Sequence, residues 1–320
     1  MVQERNTKPV IAIVIPCYNE ESVLNETSQQ LNTLVEKLIR NNNISDQSFI
    51  CFIDDGSTDT TWDKVEELHF KNNRIKGVKL SRNAGHQNAL MAGLDSVYEK
   101  IDCAISIDAD LQDDISVIES MVEQFNKGFE VVYGVRRKRE TDTLLKKNTA
   151  LIFYRLMSCF GIDMVYNHAD FRLLSKNVIG HLKSFKEVNL FLRAMIPLIG
   201  FRSTNVYYDR KVRYAGTSKY SAGKMIAFAL DGITSFSITP LRFITVIGCV
   251  LFISSLILTA WAFMVTIQHK SIPGWASTVL PIYFIGGIQL LSIGIIGEYL
   301  GKIYKEVKAR PRYIKDIELF

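Results

Sequence analysis

Two long stretches near the C-terminus carry no charge, and they divide the chain into unlike parts. Phe243–Ile267 is 25 residues without Asp, Glu, Lys or Arg, and Ser271–Gly297 is a second such run. At 1.5 Å rise per residue the first covers about 37 Å as a helix, enough to cross a hydrocarbon core of about 30 Å with tilt. The second opens on a turn-like Ile272-Pro273-Gly274-Trp275, so its helical part is expected over about Thr278–Leu300. Both runs are apolar on every side, unlike a helix that buries one stripe in a soluble core. They predict a pair of transmembrane helices over 243–301. Arg242 precedes the pair, Lys270 lies between, and Lys302, Lys305, Lys308, Arg310, Arg312 and Lys315 follow. Basic residues favour the cytoplasmic side, so both chain ends are expected there. The basic tail, 302–320, is expected to lie against anionic headgroups.

The preceding 242 residues hold 31 of the 38 Lys and Arg and 29 of the 33 Asp and Glu. The mean hydropathy of +0.09 therefore averages two unlike regions. The net charge of +5 leaves about +2 for this larger part, too little to suggest nucleic acid. Cys17, Cys51, Cys103, Cys159 and Cys249 are odd in number, far apart and without a CxxC, which reads as buried reduced thiols. Met1–Lys8 has no apolar core, so no cleavable signal peptide is expected. Just before the first span, Ser221–Ile238 places Met225, Ile226, Phe228, Ala229, Ile233 and Phe236 at helical spacing. Over 221–242 this predicts an amphipathic helix in the membrane interface, with an ordinary core-facing helix as the alternative.

Residues 1–220 alternate short β-rich runs with helical patterns. The runs are Val10–Ile15, Phe49–Ile53, Ile75–Leu80, Cys103–Ile107 and Glu130–Tyr133. The patterns between them are Glu21–Arg40, Thr60–Phe70, Gly85–Tyr98 and Ile115–Phe125. Repeated strand–helix units predict an α/β fold with a mostly parallel sheet, and such sheets bind ligands at the carboxyl ends of their strands. The polar motifs fall at those ends: IPCYNE (15–20), DDGSTD (54–59), SRNAGH (81–86) and DADLQDD (108–114). Neither GxGxxG nor GxxxxGK[ST] is present, which argues against a dinucleotide dehydrogenase or a P-loop ATPase.

Asp108 and Asp110 flank one small residue at a strand end, and Gln112 follows. A turn there can bring both carboxylates and an amide oxygen onto one hard cation, Mg²⁺ or Mn²⁺. The alternative is an Asp-rich turn, and Asp113 and Asp114 are expected to cap the helix that follows. Of Asp54 and Asp55, one carboxylate is expected to face the crevice, where it can accept from a nucleobase N–H or ribose hydroxyls. Tyr18 offers either a stacking face or a core side chain. Arg136 begins a basic run, 136–139, and Arg213 and Lys219 flank a glycine-containing segment. Both patterns suit phosphate, although a charge run also reads as a solvated face. Lys146 and Lys147 are candidates for a second phosphate.

In order and spacing, IPCYNE, DDGSTD, NAGHQNALMAGLD and DADLQDD resemble the inverting family-2 glycosyltransferases with a GT-A (Rossmann-like) fold. DFRLLSK (170–176), RYAGTSKY (213–220), GITSFSITPLR (232–242) and GEYLGKIYKEVKARPRYI (297–314) resemble the polyprenyl-phosphate branch. That branch includes dolichyl-phosphate mannose synthases and bactoprenol (undecaprenyl-phosphate) glucosyltransferases. The resemblance implies a nucleotide pocket at Pro16, Tyr18, Glu20, Ile53 and Asp55, with Asp108 and Ala109 beside the ribose and diphosphate. It implies metal ligation by Asp110 and Gln112, assisted by Asp108, and phosphate binding by Arg136, Arg213 and Lys219. Where the mannose synthases carry an Arg-and-Ser pattern, this chain has Lys146-Lys147-Asn148-Thr149.

The expected reaction is transfer of a hexose, glucose from UDP-glucose foremost, to undecaprenyl phosphate at the cytoplasmic face of a bacterial inner membrane. The lipid-linked sugar would serve O-antigen or other envelope glycosylation. GDP-mannose, UDP-GlcNAc and UDP-galactose are alternative donors. A processive polysaccharide synthase is disfavoured by the absence of a QxxRW motif. A non-catalytic partner of a lipid-sugar flippase is the reading from another class. Gly286-Gly287 and Gly294-x-x-Gly297 would permit close helix packing in a homo-oligomer.

Overall fold

The computed structural model describes residues 8–137, 168–187, 190–209, 237, 239–267 and 275–320. The chain divides into two compact units. One comprises Met1–Arg155, Asp163–Tyr220 and Arg310–Phe320, the other Leu156–Ile162 and Ser221–Ala309.

The first unit is built on a twisted sheet with, among the described residues, eight strands in the order β7-β5-β6-β4-β1-β2-β3-β8. The strands are β1 (Ile11–Cys17), β2 (Phe49–Asp54), β3 (Ile75–Leu80), β4 (Cys103–Ser106), β5 (Val131–Arg136), β6 (His168–Ser175), β7 (Ser203–Tyr208) and β8 (Lys315–Leu319). β1 pairs in parallel with both β2 and β4, and β2 with β3. β6 runs antiparallel between β4 and β5, so β5 and β7 point the same way as the central four. The strand order reverses beside β1, and a crevice at the strand carboxyl ends follows from that reversal.

Helices α1 (Leu24–Arg40), α2 (Thr61–Lys71), α3 (His86–Val97) and α4 (Val117–Asn126) follow the first four strands. Their starts and ends lie within three residues of the expected patterns. β1 and β2 are buried along their whole length, which is why they read as apolar runs rather than alternating ones. α3 lies unusually close to the sheet. A Cβ on Gly93 would stand 2.5 Å from Val14 Cγ1 and 2.7 Å from Ile53 Cγ1, so only glycine admits this approach. Cys17, Cys51 and Cys103 are buried free thiols, as expected, and burial pushes the Cys51 thiol up to about 12. Cys249 is exposed, and Cys159 lies outside the described residues.

Two short helices, α5 (Lys176–Ser184) and α6 (Leu192–Leu198), follow β6, and with β6 and β7 they lie within the expected 1–220 region, past the last strand expected from the sequence. Its last strand comes from the chain end, which corrects the expectation of a basic tail over 302–320. β8 pairs antiparallel with β3, and Ser81 N–H donates to Ile314 O at 3.0 Å. Arg312 donates to Phe185 O and Tyr313 to Asp95. The Phe320 ring meets Phe49 edge-on at 6.2 Å. Ile317 and Leu319 pack against the core, so alternation along this strand outweighs its charge.

The second unit contains α7 (Thr239–Ile267) and α8 (Trp275–Val307). α7 begins four residues before the expected span. Pro240 is tolerated in its first turn, and Ser237 Oγ accepts the Thr239 N–H at 3.1 Å. α8 continues to Val307, past the expected helical end at about Leu300, and Lys302, Lys305 and Glu306 in the added turns are good helix formers. Among the described residues, Phe284–Val307 is long and apolar enough to cross a membrane, and Thr239–Leu251 is a shorter apolar segment. Of the expected interfacial helix, 221–242, only Ser237 and Thr239–Arg242 are among the described residues, and the latter four open α7.

Candidate active site

The ends of β1 and β2 are stitched together before any ligand is considered. Asn19, at φ 53°, donates its N–H to Ser57 Oγ at 2.9 Å, and its side-chain oxygen accepts from Thr58 N–H at 2.9 Å. Glu20 N–H donates to Thr61 Oγ1 at 3.0 Å, and Glu21 accepts from Thr60 N–H at 3.1 Å. Asp59 accepts the Thr61 N–H at 3.0 Å where the chain enters α2. Gly56, at φ 65°, passes the backbone of the loop after β3 so closely that a Cβ would lie 2.5 Å from the Arg82 carbonyl carbon.

Asp55 fixes that same loop. Its Oδ1 accepts Ala84 N–H at 2.7 Å and its Oδ2 accepts Gly85 N–H at 3.0 Å. Each oxygen of this expected nucleotide-pocket carboxylate therefore already holds a backbone amide. Asp54 Oδ1 accepts Ser57 N–H at 3.2 Å, and Asp54 is fully buried. Burial pushes both carboxyls above the usual range. Pro16 and Ile53 are register partners in the sheet and are buried, Ile53 against α3. Tyr18 stands at the strand end with 38% of its surface exposed, so of its two expected states it takes the open one.

After β4 the chain turns through Asp108-Ala109-Asp110-Leu111-Gln112, with Leu111 in the left-handed region at φ 55°. Ala109 is buried, and its carbonyl accepts Thr27 Oγ1–H from α1 at 2.8 Å. Asp110 Oδ1 accepts the Gln112 N–H at 3.2 Å, which closes the turn. Asp108 is half-exposed. Desolvation and the neighbouring Asp170, Asp113 and Asp110 push its carboxyl up, while His86 pulls it down. The donor set of two carboxylates and an amide oxygen fits a hard divalent cation, which commonly takes few protein ligands and several waters. Among the described residues no three His, Cys, Asp or Glu side chains converge as a metal cluster.

The structure adds residues that the motif reading did not select. His86 opens α3 with its Nε2 3.7 Å from Asp108 Oδ1 and 3.9 Å from Asp170 Oδ2. Asp170, near the start of β6, accepts from Arg193 Nη2 at 3.1 Å and from Arg172. Although burial opposes ionisation, Arg193 and then Arg172 hold the Asp170 carboxyl far below the usual carboxylate range. Arg172 is wholly buried, with Nε and Nη1 lacking hydrogen-bond partners among the described residues. The available signal was an arginine two residues after an aspartate in a strand-like run, DFRLL.

Arg136 ends β5 and is not a solvated charge. Its Nη2 donates to Asp113 Oδ1 at 3.0 Å and its Nε to Tyr208 at 3.3 Å. Asp113 is therefore an ion-pair partner rather than a helix cap. Asp114 accepts Ser116 N–H at 3.2 Å in the turn that leads into α4, whose N-cap is Ser116, so it is not the cap expected of it either. Desolvation opposes the Arg136 charge, but Asp113 beside it raises the guanidinium above the usual arginine value. Lys146, Lys147, Arg213 and Lys219 lie outside the described residues.

Comparison with known proteins bears on what this edge of the sheet does. A family model described as glycosyl transferase family 2 matches residues 12–183, the span from β1 to α5. An uncharacterized glycosyltransferase of Bacillus subtilis, YkoT, is 51% identical over 99% of this chain and 94% of its own length. A bactoprenol glucosyl transferase of Shigella phage SfX is 37% identical over 95% of this chain and 98% of its own. Among solved structures, the mannosyltransferase PcManGT from Pyrobaculum calidifontis, in complex with GDP-Man and Mn²⁺, is 16% identical. It aligns over 92% of this chain and 88% of its own, with a TM-score of 0.46.

Proposed function

Because the chain belongs to glycosyl transferase family 2, we propose that it transfers glucose from UDP-glucose to undecaprenyl phosphate, with inversion at C1. The observation that carries a nucleotide-sugar site is the Asp108–Asp110 turn at the carboxyl end of β4, next to the strand-order reversal. The lipid acceptor and the glucose rest on the bactoprenol glucosyl transferase relative, matched over nearly its whole length. The apolar α7 and α8 agree with a lipid substrate. In this reading they form a two-span anchor in the bacterial inner membrane, with the sheet unit and both termini cytoplasmic.

Asp110 and Gln112, assisted by Asp108, would hold Mg²⁺ or Mn²⁺. Such an ion, when bound, supplies positive charge to a diphosphate leaving group. Tyr18 would pack on the base, with Pro16, Glu20, Ile53 and Asp55 shaping the pocket around it. Ala109 would meet the donor through its backbone. Arg136, Arg213 and Lys219 would share the charge that gathers on the diphosphate as the C1–O bond breaks. The acceptor's phosphate oxygen forms the new bond to C1, and the nucleoside diphosphate leaves from the opposite face. A phosphate monoester with a second pKa of about 6 is largely dianionic at neutral pH, so no strong general base is required. Lys146 and Lys147 would receive that acceptor phosphate.

The test is transfer of label from a panel of nucleotide sugars into the organic phase, using membranes containing the protein and undecaprenyl phosphate, with and without EDTA. Label from UDP-glucose that is lost with EDTA is expected. Robust transfer from GDP-mannose with none from UDP-glucose would overturn the sugar assignment. No transfer from any donor would overturn the reaction.

A further inference from the structure

We propose that Asp113 and Tyr208 are positioning residues that hold Arg136 in the orientation it needs to meet the nucleotide diphosphate. This rests on the function proposed above. The three side chains come from three separate segments: the turn after β4, the end of β7 and the end of β5. Besides the two bonds from Arg136, Tyr208 donates its hydroxyl to Asp113 Oδ1 at 2.5 Å. Arg136 and Tyr208 are also register partners in the β5–β7 pair, and Arg137 N–H donates to Tyr208 O at 2.8 Å.

Burial separates this node from a surface ion pair. The Asp113 side chain is 2% exposed and that of Arg136 21%. The Tyr208 ring packs edge-on against Phe171 at 5.6 Å. A buried ion pair is a poor device for stability alone, since desolvation offsets much of the attraction and apolar side chains of similar size often do as well. What the node does provide is geometry. Two guanidinium nitrogens, Nε and Nη2, are fixed at once, which sets the plane of the Arg136 fork. The carboxylate that fixes it follows Gln112 directly in the chain. The turn bearing Asp108, Asp110 and Gln112 and the arginine at the end of β5 are thus tied to one point. Partners of this kind orient the groups that touch a ligand.

The experiment uses the full-length protein in lipid nanodiscs with Mn²⁺. Calorimetry measures the affinity for UDP or GDP, whichever the wild type binds more tightly, and for the matching monophosphate. Tyr208→Phe keeps the ring against Phe171 and removes only the hydroxyl. It is expected to weaken the diphosphate by roughly tenfold, the scale of one hydrogen bond to a charged group, and the monophosphate by much less. Asp113→Asn is expected to act in the same direction. In an Arg136→Gln background, Tyr208→Phe should have no further effect, because its influence passes through the arginine. Equal weakening of both nucleotides, an additive effect in that background, or an unchanged diphosphate affinity in folded Tyr208→Phe would overturn the proposal. Should Asp113→Asn fail to fold, the Tyr208→Phe pair still decides. If the wild type binds neither diphosphate, the reading of the function falls and the positioning role with it. If it binds and the variants do not discriminate, only the positioning role falls.

Discussion

Asp170 and Arg193 form a two-point ion pair, Nη2 to Oδ2 at 3.1 Å and Nε to Oδ1 at 3.3 Å, and the same carboxylate is the counter-charge of buried Arg172. Removing that charge leaves an unbalanced guanidinium inside the sheet unit. Asp170→Asn is expected to destabilise the unit by about 3–5 kcal/mol in denaturant titrations at pH 7. The sign of the pH dependence follows from the lowered folded-state value. The carboxylate's contribution is present above the unfolded pKa of about 3.9 and is lost as pH falls below it. The gap between wild type and variant should therefore narrow between pH 5 and 3.

Asp110 holds the turn closed through the Gln112 N–H and is the first of the expected metal ligands. Asp110→Asn keeps the shape but removes the charge. Transfer activity is expected to fall on the order of 100-fold, with thermal stability nearly unchanged. Full cellular function in an Asp110→Ala strain would instead support a non-catalytic membrane protein.

Gly93 lets α3 rest on β1 and β2, and α3 carries His86 toward Asp108 and Asp170. Gly93→Ala places a methyl against the side chains of Val14 and Ile53. Overpacking of this kind costs about 1–3 kcal/mol, so a lower denaturant midpoint with an unchanged slope is expected.

β8 closes the β3 edge of the sheet with residues from the extreme C-terminus. Deleting 315–320 uncovers that edge and the partly buried Ile317 and Leu319 contacts. A loss of about 2 kcal/mol from the two side chains, together with concentration-dependent aggregation from the open edge, is expected in light scattering during heating. A deletion variant as stable and monodisperse as the wild type would show that β8 is dispensable.

Much of this protein was determined by local sequence alone. β1 to β5 and α1 to α4 announced themselves because a buried parallel strand must be apolar throughout and a helix on its face must be apolar at helical spacing. The acidic and basic motifs at the strand ends followed from the same alternation. The unexpected features depend on pairings between distant residues. Asp113 and Asp114 are adjacent and chemically identical, yet one pairs with Arg136 and Tyr208 while the other closes the turn before α4 on Ser116 N–H, because only the first faces β5 and β7. The sequence marks Asp55 as a strand-end acid, but only the tertiary structure places a backbone amide of the loop after β3 on each of its oxygens. A basic C-terminal segment became an edge strand because β3 offered an unpaired ladder. Periodicity reports which side of an element is buried. Which partner lies there is decided by the return of chain from tens or hundreds of residues away.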